Sequence, residues 1–250
     1  MLLCVFKYDK YHLHFITFSS IHLIPKCYIR IKKGVMEMTQ STIMKSTYSV
    51  KEEFWNATTH GIGALLTFPA TYFLIQKAQV SGSKTELISY IIFGISMFCL
   101  YLASTLYHCL PVNKSFLKKL DHSSIFLLIA GTYTPIALVA IGGKAGWIIV
   151  GIEWLLTLIG IVLKQFFVHR FKALSLLVYI GMGWLVIFVY KPLLEHITYN
   201  GFFTLLAGGI VYTVGTYFYK NKNIPYNHAI WHVFVMGGSV GMYLAIYFFV

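Results

Sequence analysis

Negative charge is what this sequence has least of. Eight Asp and Glu stand against 20 Lys and Arg in 250 residues, and only 11% of the chain is charged. A soluble domain carries roughly twice that fraction, so a single water-soluble core is a poor reading. Cysteine is also sparse. Cys4, Cys27, Cys99 and Cys109 form no C-x-x-C pair, which argues against a disulfide framework or a cysteine zinc site. No Gly-rich phosphate loop, Walker lysine or G-x-S-x-G elbow stands in a fitting context, so nucleotide and serine-hydrolase chemistry have no anchor. The excess of 12 positive charges does not gather into a basic helix or an aromatic RNA-binding pattern. Nucleic acid is therefore not an expected partner. The charge reads as membrane orientation and contact with lipid surfaces.

Long apolar runs are plentiful: 58% of the chain is hydrophobic. Stretches of about 20 mostly apolar residues recur from Ala57 to Val250, each long enough for a hydrocarbon layer of about 30 Å. The expected spans are Thr58–Gln76, Leu87–His108, His122–Ile141, Gly146–Val168, Ala173–Tyr190, Gly201–Tyr219 and His228–Phe249. Short connectors such as Ser81-Gly82-Ser83, Pro111-Val112-Asn113 and Gly142-Gly143 make neighbouring spans antiparallel. Glycines inside the spans, among them Gly208, Gly238 and Gly241, suit close helix approach. Pro135 is expected to kink the third span. The fold class is thus an all-α membrane protein, a seven-transmembrane helix bundle.

Residues 1–45 differ from the rest. Phe15–Pro25 is too short and polar to span, and no small-residue cleavage motif follows it. This stretch reads as an N-terminal extension, disordered or upstream of the true start. Lys33-Gly34-Val35 ahead of Met36 and Met38 fits a purine-rich ribosome-binding stretch. Residues 46–250 form the membrane domain. An N-terminus inside places Lys45, Lys51, Lys114, Lys118, Lys119, Arg170, Lys172, Lys220 and Lys222 inside. It leaves Lys77, Lys84, Lys144 and Lys191 outside. That bias predicts a cytoplasmic N-terminus and an outside C-terminus.

With this topology the polar residues meet at one end. Glu52, Glu53, Asn56 and His60 start span one, Ser104 and His108 end span two, Asp121 and His122 open span three, and His228 and His232 open span seven. His228 and His232 are four apart and share a helix face, as do Ser104 and His108. Three imidazoles from two helices with an open position make a catalytic zinc arrangement, although imidazole also suits copper, iron and nickel. Asp121 can orient or deprotonate a water, or simply N-cap span three. Ser104 can bond that water, or bond back to its own helix. A histidine at a span end also has a plain reading as an interfacial residue, which suits His122, His169 and His196. Glu52 and Glu53 read as solvated first-turn acids. Asn56 and His60 read as packing residues behind the site, with His60 a weaker ligand candidate. Glu153, inside span four and away from this end, is protonated, paired, or beside a water-filled cavity.

These residues resemble the hemolysin III family, within the wider progestin and adipoQ receptor (PAQR) group. The stretches that carry the resemblance are Glu52-Glu53-Phe54-Trp55-Asn56-Ala57-Thr58-Thr59-His60-Gly61, Ser104-Thr105-Leu106-Tyr107-His108, Leu120-Asp121-His122-Ser123-Ser124, Gly131-Thr132-Tyr133-Thr134-Pro135 and His228-Ala229-Ile230-Trp231-His232. They run in family order from about Tyr48 to the end of the chain. The resemblance implies seven helices with the N-terminus inside and a bacterial plasma-membrane location. It also implies Zn2+ on His108, His228 and His232, with Asp121 and Ser104 near the metal or its water. Receptor relatives and alkaline ceramidases imply hydrolysis of a lipid amide or ester, with membrane lipids as partners. The founding members' name implies a pore-forming cytolysin instead. A membrane sensor with structural zinc is a third reading.

Overall fold

The computed structural model describes residues 6–9, 12–15, 48–168, 170 and 172–250. Strands β1 (Phe6–Asp9) and β2 (His12–Phe15) pair antiparallel, with Phe6 opposite Phe15. The rest of the expected extension, and His169, lie outside the described residues.

Helix α1 (Val50–Ser81) starts where Ser49 and Glu52 close a capping box. The Glu52 amide donates to Ser49 Oγ at 3.3 Å, and the Ser49 amide donates to the Glu52 carboxylate at 2.9 Å. Two of the donors orphaned at a helix start are so satisfied. The helix ends at Gly82, whose φ of 70° needs glycine's freedom. Ser83 caps α2 (Lys84–Cys109) through the Glu86 amide, and Thr198 caps α7 (Tyr199–Lys220) through the Gly201 amide. Between them lie α3 (Lys114–Pro135), α4 (Gly143–Phe167), α5 (Lys172–Gly183) and the short α6 (Tyr190–Leu194). Helix α8 (Asn227–Phe249) closes the chain.

Helix α1 packs against α2 and α8, α2 against α3, α3 against α4, and α7 against α8. Large apolar side chains such as Phe68, Ile148, Leu158 and Phe203 face outward, whereas Asn56, His60, Ser104, His108, Glu153 and His232 are buried. This polarity, apolar outside and polar inside, is that of a bundle dissolved in lipid. Among the described residues, six segments are long and apolar enough to cross a membrane: Lys84–Cys109, Lys114–Ile141, Gly143–Phe167, Ala173–Leu194, Tyr199–Lys220 and Asn227–Phe249. Helix α1 has 32 residues but is not among them.

Helix α1 starts eight residues before the expected Thr58 and runs past Gln76 to Ser81, and two further segments depart from the expected spans for visible reasons. Helix α3 starts at Lys114, eight residues before the expected His122, because its first two turns are amphipathic and do not register as an apolar run. Its α-helical bonding stops at Pro135. A wider π-helical turn, Ile136–Ile141, then runs to Gly142, whose amide donates to the Ala137 carbonyl at 2.9 Å. Proline lacks the N–H that would continue the ladder, so the expected disturbance takes this form. The expected single helix Ala173–Tyr190 breaks instead at Gly183-Trp184 and resumes as a 3-10 turn, Leu185–Val189. The Tyr133 hydroxyl spans the break. It donates to the Gly183 carbonyl at 3.0 Å and accepts from the Val186 amide at 2.7 Å. Backbone groups freed inside an apolar bundle need such a partner.

Helices α7 and α8 approach closely at glycines. A side chain on Gly241 would bring its Cβ to 2.9 Å from the Gly208 Cα, a backbone atom that cannot swing away. Gly241→Val is expected to destabilise the protein by about 1–3 kcal/mol, the usual cost of overpacking. Thermal unfolding in mild detergent measures it, and an unchanged midpoint would contradict this packing.

Candidate metal centre

His108 lies in the last turn of α2, and α8 opens with His228 and His232 one turn apart. Helix α1 lies against both and supplies the surrounding polar groups. The candidate ligand nitrogens of the three histidines all lie within 4.8 Å of one another. His108 and His232 are buried and His228 is half-buried. The Nε2 atoms of His108 and His228 are 3.2 Å apart. Two nitrogens bound at about 2.0–2.1 Å on one tetrahedral ion stand roughly 3.3 Å apart, so this pair has the spacing that a shared metal requires.

The other ring nitrogens fix which face carries the lone pair. His232 Nδ1 lies 2.9 Å from the Asn56 carbonyl, which can only accept, so the proton is on Nδ1 and the lone pair on Nε2. Thr59 Oγ1 stands 3.2 Å from the same nitrogen. His108 Nδ1 lies 2.5 Å from a Glu53 carboxylate oxygen, which likewise leaves Nε2 as the free acceptor. Imidazoles backed by a carboxylate or a carbonyl in this way are the usual metal ligands. His108, His228 and His232 therefore form a cluster that can hold a metal ion.

Two aromatic rings close the cluster. Tyr48 stacks on His228 with centroids 5.0 Å apart. Burial pushes its phenol pKa up, so it stays neutral, and Lys222 Nζ donates to its oxygen at 2.9 Å. His60 stacks on His232 with centroids 3.6 Å apart and an interplanar angle of 12°. Both His60 nitrogens are buried and, among the described residues, have no hydrogen-bond partner; His60 does not join the three histidines whose nitrogens converge. The packing reading of His60 is the one that this stacking fits.

Asp121 and Ser104 share a cavity wall with His60, His228 and His232. Asp121 is close enough to His108 for their charges to interact, and the Ser104 hydroxyl is near its carboxylate. Among the described residues no well-formed hydrogen bond closes on Ser104 Oγ. The cavity runs on between α3, α5, α7 and α8 past Leu128, Ile136, Leu205 and Met242. It is partly open to the outside. An ionic head at one end and an apolar tail space are the shape of an amphiphile.

The sequence expectations meet this geometry unevenly. His108, His228, His232, Asp121 and Ser104 come together. Asp121 does not cap α3, because the helix begins seven residues earlier, at Lys114. His122 lines the cavity instead of only facing the interface. His196 is exposed and bonded to the Pro192 carbonyl. Glu53 is not a solvated acid: its side chain is 17% exposed and holds His108. Its signal was weak, since an acid in a first helical turn is common. Glu153 is fully buried, has no hydrogen-bond partner among the described residues, and is absent from the cavity wall.

The family model described as Haemolysin-III related matches residues 48–243. Hemolysin-3 of Bacillus cereus is 49% identical over 208 residues, covering 82% of this chain and 95% of the relative. The Hemolysin-3 homolog of Bacillus subtilis (strain 168) is 50% identical over 204 residues, covering 81% and 96%. The monocyte to macrophage differentiation factor of Homo sapiens is 30% identical over 207 residues, covering 77% and 82%. With the family model spanning most of its length and about half of the aligned residues shared with the Bacillus proteins, the chain belongs to the haemolysin-III family of multi-pass cell-membrane proteins.

Proposed function

We propose that this protein is a seven-span membrane hydrolase of a lipid amide or ester, with zinc held by His108, His228 and His232. The observation that carries the reading is the convergence of three imidazoles with a carboxylate and a hydroxyl at the head of a largely apolar cavity. Helix α1 is the seventh span. Its 32 residues reach about 48 Å at 1.5 Å per residue, and it lies between two apolar spans. The lysine bias supports an N-terminus inside and a C-terminus outside, which puts the histidines near the cytoplasmic headgroups.

Bound zinc supplies Lewis acidity, polarising a carbonyl and lowering the pKa of water to about 7. The protein's own groups do the rest. The apolar cavity holds the chain and excludes bulk water. Asp121 accepts a proton from the attacking water and returns it to the leaving amine or alcohol. Ser104 orients that water or the carbonyl. Glu53 and the Asn56 carbonyl fix the imidazole tautomers.

The name of the Bacillus relatives favours a second reading, membrane lysis. Purified protein added to dye-loaded liposomes separates the two. The hydrolase reading expects release no greater than empty detergent micelles give, and brisk release would favour a pore.

Two variants test the site. Glu53→Gln is expected to weaken zinc binding about 10–100-fold, the usual effect of losing a ligand's backing carboxylate, measured by competition with a chromogenic chelator. Asp121→Asn is expected to keep its zinc and lose at least 100-fold in hydrolysis, in line with removal of a general base. Ceramides, phospholipids and acyl amides form the substrate panel. Absence of hydrolysis by zinc-loaded native protein across that panel would defeat the proposal.

A further inference from the structure

A second cation stands in the cavity wall, and the proposed chemistry has no use for it. Lys164 lies one turn from the end of α4 and is only 4% exposed. Its ammonium donates to Ser175 Oγ on α5 at 2.7 Å and lies 5.8 Å from the Tyr179 ring centroid. Among the described residues it has no other hydrogen-bond partner and no carboxylate partner. The charge that acts on it is another cation, Lys118. An ammonium has three donors, so two remain unused inside the bundle.

A lysine near a membrane interface usually extends its head to water. Lys164 turns inward instead, into the cavity that holds Asp121, Ser104 and His228. A buried cation without a counter-charge is costly, and an anion on the open side of the cavity offsets that cost. Away from this polar end the cavity is largely apolar, so the anion that fits best carries a hydrocarbon chain.

We propose that Lys164 and Ser175 form an anion-recognition subsite that takes the phosphate or carboxylate head of a lipid whose chain occupies the cavity. The subsite requires the cavity and not turnover, so it stands whether or not the histidine cluster hydrolyses the bound lipid. It sets the preferred ligand as an anionic amphiphile over a neutral one of the same length.

Native mass spectrometry of the purified full chain, with metal content checked in each sample, measures this without reference to hydrolysis. The probes are dodecyl phosphate, dodecanol and inorganic phosphate. Native protein is expected to bind dodecyl phosphate about 10–100-fold more tightly than dodecanol, the scale of a charge-assisted hydrogen bond. Lys164→Gln is expected to abolish that preference. Lys164→Arg is expected to keep most of it, and Ser175→Ala to reduce it severalfold. If Lys164→Gln fails to fold, the Arg and Ala variants decide the matter: equal preference in Ser175→Ala and native protein then overturns the subsite. Equal binding of dodecyl phosphate and dodecanol by native protein overturns it too, as does a preference that survives in Lys164→Gln. Inorganic phosphate held as tightly as dodecyl phosphate would overturn the lipid assignment.

Discussion

Three imidazoles aimed at one another inside an apolar bundle are an electrostatic demand that the rest of the fold answers. Two nitrogens 3.2 Å apart, with a third within 4.8 Å, repel through their lone pairs unless a cation or a proton lies between them. In a medium of low dielectric that repulsion is poorly screened. The bundle holds the arrangement from behind. Glu53 orients His108, the Asn56 carbonyl and Thr59 orient His232, and all three belong to α1. A charge-assisted hydrogen bond of the Glu53 kind contributes about 1.5–3 kcal/mol net, enough to fix a tautomer and a ring angle. Helix α1 thus acts as a clamp on the histidines of α2 and α8.

Close helix contact makes that clamp work. A Cβ on Gly63 would meet the Tyr101 ring at 2.9 Å, so α1 and α2 touch at a glycine directly beneath His60, whose ring in turn packs edge-on against Tyr101. On the far side α7 and α8 meet at Gly208 and Gly241. The remaining wall is looser. Only 6% of the most apolar stretch of Ala173–Leu194 is buried inside the bundle, and this segment breaks at Gly183-Trp184. Tyr133 and Thr213 hold the break, the latter by accepting from the Trp184 indole at 3.0 Å. The large cavity lies behind this wall, so the tight half of the bundle carries the cluster and the loose half carries the space.

Much of this was legible in the residues. His228 and His232 announce a shared face by their spacing, and topology alone brings His108 to the same end. Asp121 and Ser104 follow by the same logic. Glu53 was hidden because its partner is 55 positions away on another helix, and nothing in a first-turn acid announces that. The start of α3 was missed because hydropathy marks the apolar part of a helix, not its first turns. The break after Gly183 was invisible for a different reason: the apolar run continues through it, and only a tyrosine from another helix makes the break tolerable. The start of α1 was missed in the same way as that of α3: the capping box of Ser49 and Glu52 lies ahead of the apolar run that marks the span.

The central claim is that the three histidines bind one metal ion, and zinc in particular. Elemental mass spectrometry of protein purified in mild detergent without chelators, beside folded His108→Ala and His232→Ala variants, tests it directly. The account predicts close to one zinc per native chain and loss of that zinc in both variants. No metal in the native protein, or the same metal content in all three, would contradict it.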